Sequence, residues 1–164
     1  MSAKQVTEAE VLLLLRGVKD PEIDTVSIID LGMVEAVAIQ ENHISIKIVP
    51  TFLGCPALEF IKQNIIEAVQ ESTGKAVEVE FLTSPPWTSD RITEEGKKGL
   101  KAFGISPPPS KIEADGSWHV DCPYCGSTYI TMENIFGPTA CRSILYCRSC
   151  KNPFEAMKPI SILM

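Results

Sequence analysis

The sequence predicts an α+β protein in two parts: a small α/β domain with a three-stranded sheet and two or three helices, then a C-terminal zinc ribbon. Three observations carry this expectation. Two Cys-x-x-Cys pairs, Cys122/Cys125 and Cys147/Cys150, stand in the last third of the chain with 21 residues between them. Three successive prolines, Pro107 to Pro109, interrupt any helix or sheet before the first pair. Ahead of them, helical and period-2 apolar patterns alternate.

Taken in order, Thr7-Glu8-Ala9-Glu10 is a capping-box pattern that starts a helix running to Gly17. Lys19-Asp20-Pro21-Glu22 reads as a loop. Val34 to Ile39 and His43 to Val49 read as a hairpin, because Ile44, Ile46 and Ile48 alternate with Ser45 and Lys47 across the Glu41-Asn42 turn. Pro56 suits the first position of the next helix, whose Leu58, Ile61, Ile65 and Val69 share one face, with Gly74 placed to close it. Val77, Val79 and Phe81 form a third strand, ended by Pro85-Pro86-Trp87. A polar helix is expected over Ser89 to Phe103, weakened by Gly96 and Gly99. These elements divide the chain into residues 1–104, a proline-rich linker at 105–111 and a ribbon at 112–164, too small for a full core without metal.

The composition bounds the function. Among 164 residues, 45% hydrophobic and 22% charged content supplies one ordinary core and a small one. A formal charge of −6 argues against a nucleic-acid surface, although Arg142, Arg148 and Lys151 could form a local basic patch. No apolar run reaches membrane-spanning length, and Val11 to Leu15 is too short for a secretory segment. A cytoplasmic, reducing setting is therefore expected, with six thiols and no disulfide framework.

Four thiolates at this spacing complete a tetrahedral ion, so Cys122, Cys125, Cys147 and Cys150 are the expected zinc ligands. Rubredoxin-like iron is the alternative occupant, and His119 is a substitute ligand that the quartet does not need. Cys55 precedes a helix, where unpaired N–H groups and the macrodipole favour a thiolate; it reads either as a reactive thiol or as a small buried cap. Asp20, Glu22, Asp24 and Asp30 are either hard-metal ligands or a solvated acidic loop. Cys141 is either a ribbon-core residue or a second accessible thiol near the metal. His43 is expected at an exposed turn. No Ser/His/Asp set, phosphate loop or dinucleotide fingerprint is present, so a self-contained enzyme is not expected.

Four ordered segments carry a family resemblance: Asp20-Pro21-Glu22, Ser27 to Val34, Thr51-x-x-Gly54-Cys55-Pro56 and Pro85-Pro86-Trp87. The first hundred residues resemble the SufT-like iron–sulfur assembly family. Joined to a ribbon with Phe136-Gly137-Pro138-Thr139-Ala140-Cys141 and Cys147-x-x-Cys150-x-x-Pro153-Phe154, they resemble the PaaD family, the D components of phenylacetyl-CoA epoxidases. That resemblance implies an accessory role beside a ring-epoxidising monooxygenase in phenylacetate catabolism, aiding maturation of iron or iron–sulfur centres. The alternative is an obligate non-catalytic component or zinc-ribbon adaptor of the oxygenase complex. It makes Cys55 the candidate reactive or cluster-binding thiolate, with Asp20, Glu22 and Thr51 as candidate neighbours. The implied cofactors are ribbon zinc and a transient iron or iron–sulfur cluster. The implied partners are oxygenase and reductase subunits or other iron–sulfur clients, with neither nucleic acid nor membrane. A homodimer is a further expectation, with one metal ligand from each chain and the tail Ile160 to Met164 covering a contact.

Overall fold

A computed structural model describes residues 5–109, 113–115, 118–139 and 141–159. The apolar tail from residue 160 lies outside the described residues. Helix α1 (Glu8–Leu15) opens with both bonds of the capping box: Glu10 N–H donates to Thr7 Oγ1 at 3.3 Å, and Thr7 N–H donates to Glu10 Oε2 at 3.0 Å. Val11 and Leu15, one turn apart, carry its buried stripe.

Strands β1 (Lys19–Asp20) and β2 (Ile23–Ser27) pair where the sequence suggested only a loop. Asp20 makes the turn, its Oδ1 accepting from the N–H groups of Glu22 at 2.8 Å and Ile23 at 3.2 Å. The expected hairpin forms from β3 (Val34–Ile39) and β4 (His43–Ile48), and β5 (Ala76–Phe81) joins β4 in parallel to give the order β3-β4-β5. A parallel neighbour requires a crossover, supplied by α2 (Leu58–Thr73). Its Ile61, Ile65 and Val69 pack on the core that also holds Ile44, Ile46 and Ile48. Each such side chain contributes about 1.5–3 kcal/mol by leaving water. Gly74 ends α2 at φ 69°, as its position predicted.

The expected helix over 89–103 is two pieces. A 3₁₀ turn (Ser89–Arg91) precedes α3 (Glu94–Phe103), and Thr93 interrupts them by capping Gly96 N–H at 3.0 Å while bonding Asp30 Oδ1 at 2.9 Å. The α3 glycines are there for contact: a Cβ on Gly96 would lie 2.4 Å from Asp30 O, and one on Gly99 would lie 2.6 Å from Thr25 O. Trp87 is buried, and its indole N–H donates to Leu31 O at 2.7 Å.

Strands β6 (Ile105–Ser106), β7 (Ile130–Asn134), β8 (Arg142–Cys147) and β9 (Pro153–Met157) form the second sheet in the order β6-β9-β8-β7. Ile105 and Ser106, the first residues of the expected linker, thus pair with Glu155 and Ala156 of the ribbon. Val120, Leu145, Phe154 and Ala156 form a small core beside Cys122 and Cys147, whereas Ile105 and Met157 join the main core. The prolines are tied down: Ser89 Oγ donates to Pro109 O at 3.0 Å, and Ser89 N–H donates to Pro159 O at 2.9 Å. The ribbon is docked on the first domain. Among the described residues no helix is long and apolar enough to cross a membrane.

Candidate functional site

Two knuckles build the ribbon centre. Cys122 and Cys125 flank a turn closed by Gly126 at φ 74°, where Gly126 N–H returns to Cys122 O at 2.9 Å. Cys147 ends β8, and Lys151 N–H returns to its carbonyl at 2.9 Å. The four sulfurs lie within 4.8 Å of one another. Cys122 to Cys150 and Cys125 to Cys147 are both 3.6 Å apart. Four thiolates on tetrahedral zinc at about 2.3 Å would stand roughly 3.8 Å apart, so the donor set fits that ion. Backbone N–H groups support the charged sulfurs. Tyr124 N–H points to Cys122 Sγ at 3.4 Å and Cys150 N–H to Cys147 Sγ at 3.5 Å. The Cys150 N–H, followed by that of Ser149, draws the Cys147 thiol down to about 6. The Asn152 side chain, at 3.5 Å, and then its N–H lower Cys150. His119 is exposed and stands outside the quartet.

The second candidate lies on the loop before α2, within electrostatic range of the carboxylates on the β1–β2 turn. Cys55 is half-buried; its N–H donates to Phe52 O at 3.3 Å and its carbonyl accepts from Leu58 N–H at 3.2 Å. The helix begins two residues later than Pro56 predicts, with Ala57 as the cap residue and Pro56 outside it. The expected ease of ionisation is reversed. Burial pushes the Cys55 thiol up, and the Glu22 and Asp20 carboxylates push in the same direction, against the N–H groups of Ala57 and Leu58. Asp20 is itself raised by desolvation, despite the Glu22 and Ile23 N–H groups and the nearby Arg142. Glu22 is raised by desolvation and then by Asp20, with Arg142 opposing. Asp20 Oδ2 has no hydrogen-bond partner among the described residues.

Cys55, Asp20 and Glu22 therefore come into one another's fields, while the other candidates do not join them equally. Thr51 is buried on the same loop but has no hydrogen bond to Cys55. Asp24 is exposed. Asp30 serves packing, accepting from Ser27 Oγ at 3.1 Å and from Thr93. His43 sits 3.6 Å from Glu78. Among the described residues only the ribbon quartet is drawn together tightly enough to hold an ion as it stands; the Cys55 set is more open.

The sequence left room for a local basic patch that includes Arg142. That residue is 6% exposed, with Nε donating to Thr139 Oγ1 at 2.8 Å and its other end donating to Glu155 Oε2 at 2.6 Å. Arg148 and Lys151 are exposed, so no joint patch with Arg142 exists. Cys141 is likewise not near the zinc quartet. It precedes β8, whereas Cys147 ends it, and six residues of strand put roughly 20 Å between the two. It stands outside the ribbon's small core as well. Lys158 is buried, its ammonium 4.7 Å from the Phe136 ring centroid. No local sequence signal marks these burials, because their partners are brought to them across the ribbon's strands and turns.

Comparison with known proteins agrees with both halves. The PaaD zinc beta ribbon domain family matches residues 106–158, and the iron-sulfur cluster assembly protein family matches residues 8–81. A protein of Escherichia coli, provisionally assigned as the D component of 1,2-phenylacetyl-CoA epoxidase, is 38% identical over 92% of this chain and 92% of its own length. An Fe-S protein maturation auxiliary factor of Porphyromonas gingivalis is 32% identical over 54% of this chain and 86% of its own. The solved domain of unknown function DUF59 from Bacillus anthracis superposes with a TM-score of 0.53 at 29% identity, covering 57% of this chain and 90% of that one.

Proposed function

Because the chain belongs to the PaaD family of phenylacetyl-CoA epoxidase components, we propose that it is an accessory factor that helps load iron or an iron–sulfur centre into the oxygenase or reductase of that system. Cys55 is the transient ligand, assisted by Asp20 and Glu22. Cys122, Cys125, Cys147 and Cys150 hold zinc, which fixes the ribbon as a rigid module for docking the client. The reading places the work in a reducing, cytoplasmic setting and assigns the chain no turnover of its own.

The reading is supported by the match of the iron-sulfur cluster assembly protein family over residues 8–81, the part of the chain that carries Cys55, and by the electrostatic influence of Glu22 and Asp20 on that thiol from a separate loop. A resident metal site would be closed, with backbone N–H groups directed at its sulfurs, as the ribbon quartet is. Here a thiol stands among desolvated carboxylates that disfavour its ionisation. An incoming cation relieves that repulsion, and returning protons compete for the same donors, so binding is reversible.

The test is iron loading of the client subunits in cells that carry Cys55→Ala. The variant should fold and retain about one zinc per chain while the client is isolated iron-poor. Full iron in the client would remove Cys55 from the mechanism.

A further inference from the structure

The junction of α3 with the first ribbon knuckle encloses a cleft of about 600 Å³. Lys97 and Lys101, one helical turn apart on α3, line it from the first domain, and His119 to Pro123 line it from the ribbon. The prolines 107–109 contribute as well. These walls are tied together before any partner arrives. Ser106 Oγ donates to Asp121 O at 3.1 Å, Ser89 Oγ donates to Pro109 O at 3.0 Å, and Gly126 leaves open space where a Cβ would stand. The lining inverts the charge balance of the chain. The protein as a whole carries −6, yet the cleft sets two lysines and His119 against Asp121 alone. Lys97 shares its charge with Glu94 at 3.1 Å. Lys101 and His119 have no hydrogen bond or ion pair among the described residues. Tyr124 follows Pro123 at the knuckle, is 61% exposed, and with Phe103 lines a second groove of about 370 Å³.

We propose that this cleft is the docking face for the client protein, and that it takes an acidic segment of the client whose carboxylates pair with Lys97 and Lys101. The inference rests on the reading of the ribbon as a docking module; it names the face and the chemistry of the partner. Charge complementarity selects the occupant. A nucleic acid needs a basic track along its length, and beyond the cleft it would meet an acidic protein. A short acidic segment meets only the two lysines. Tyr124 beside the cleft adds exposed aromatic area of the kind that anchors interfaces. Lys101 is exposed and Lys97 half-exposed, so their pairs steer and speed the encounter more than they prolong it. That suits a factor that must leave its client once the metal has passed.

The experiment measures, by titration calorimetry, the affinity of the zinc-replete full chain for the purified oxygenase and reductase subunits of the epoxidase system. Wild type is compared with Lys101→Glu, with the double variant Lys97→Glu/Lys101→Glu, and with Lys98→Glu, which makes the same charge change on the same helix outside the cleft. At least one subunit should bind wild type. The double variant should bind it at least about tenfold more weakly, and Lys98→Glu within about twofold of wild type. Raising salt from about 0.1 M to about 1 M should weaken wild type and leave the double variant little changed. A photo-cross-linker at the knuckle, Tyr124→p-benzoylphenylalanine, should capture a segment of that subunit in which acidic residues outnumber basic ones. Equal affinity of wild type and the double variant, or a captured segment without that acidic excess, would refute the cleft and leave the Cys55 reading standing. Binding of neither subunit by wild type would refute the docking role of the ribbon together with this face. Inorganic pyrophosphate that binds wild type but not the double variant, with subunit affinity unchanged, would give the cleft to a small phosphate ligand and overturn the proposal. If the double variant loses its zinc or its fold, Lys101→Glu alone decides: weakening by at least about threefold supports the proposal and none overturns it.

Discussion

Replacing Gly99 by Ala should destabilise the protein even though alanine is the better helix former. The added methyl would sit 2.6 Å from Thr25 O and 2.8 Å from Val26 Cγ2. The first of these is backbone within β2, so it cannot swing aside. Forcing such an atom into a packed interface costs about 1–3 kcal/mol. The contact also carries the Thr25 Oγ1–H bond to Gly99 O at 2.6 Å, whose loss adds about 1 kcal/mol. Helix propensity returns about 1 kcal/mol. The net loss is about 1–3 kcal/mol, which in a chain of 164 residues lowers Tm by roughly 3–10 °C. Thermal unfolding followed by circular dichroism measures it, with Lys98→Ala on the exposed face of α3 as a control expected within about 0.5 kcal/mol. Because β2 leads out of the turn that carries Asp20 and Glu22, the variant should also change the alkylation rate of Cys55. An unchanged or higher Tm for Gly99→Ala would refute the close α3–β2 contact and the account of why glycine stands there.

Two further outcomes follow from the sites. Without metal, Cys55 should alkylate with iodoacetamide more slowly at neutral pH than an unhindered cysteine, its rate still climbing past pH 9.0 because burial, Glu22 and Asp20 all raise the thiol above that value; Asp20→Asn should speed the reaction at neutral pH by removing one of the repelling charges, and a slower rate would contradict the electrostatic account. Stripping the ribbon with a chelator, or Cys147→Ser, should unfold residues around the small core, since structural zinc contributes about 10–16 kcal/mol against a total stability of about 5–15 kcal/mol. Emission from Trp118 should shift to the red while buried Trp87 stays blue, measured with Trp118→Phe to separate them; a ribbon that keeps its native emission without metal would show that its apolar contacts suffice.

The parts of the fold that local chemistry decides were legible. The capping box at Thr7, the isoleucine alternation in β4, the closing Gly74 and the four ribbon thiols each state their structure within a few residues. The β1–β2 pair was hidden because Pro21 and the acidic residues read as a solvated loop, when Asp20 in fact closes a tight turn. Cys55 was found, but the sign of its ionisation was not. Counting helix N–H groups leaves out the burial and the two carboxylates that reach it from another loop. Cys141, Arg142 and Lys158 were illegible for a different reason. Their partners Thr139, Glu155 and Phe136 are brought to them across the ribbon's strands and turns, and no periodic pattern marks them. Gly96 and Gly99 read as flaws in a helix; only the neighbouring strand reveals them as points of contact.

Strand β8 joins the ribbon centre to the seam with the first domain: Cys147 ends it, and Arg142 at its other end pairs with Met157, which belongs to the main core. Because β8 is hydrogen-bonded on both sides, by β7 and β9, it behaves as a stiff bar. Loss of zinc at one end should therefore loosen the seam at the other, so that metal content and the seating of the two domains report on one another.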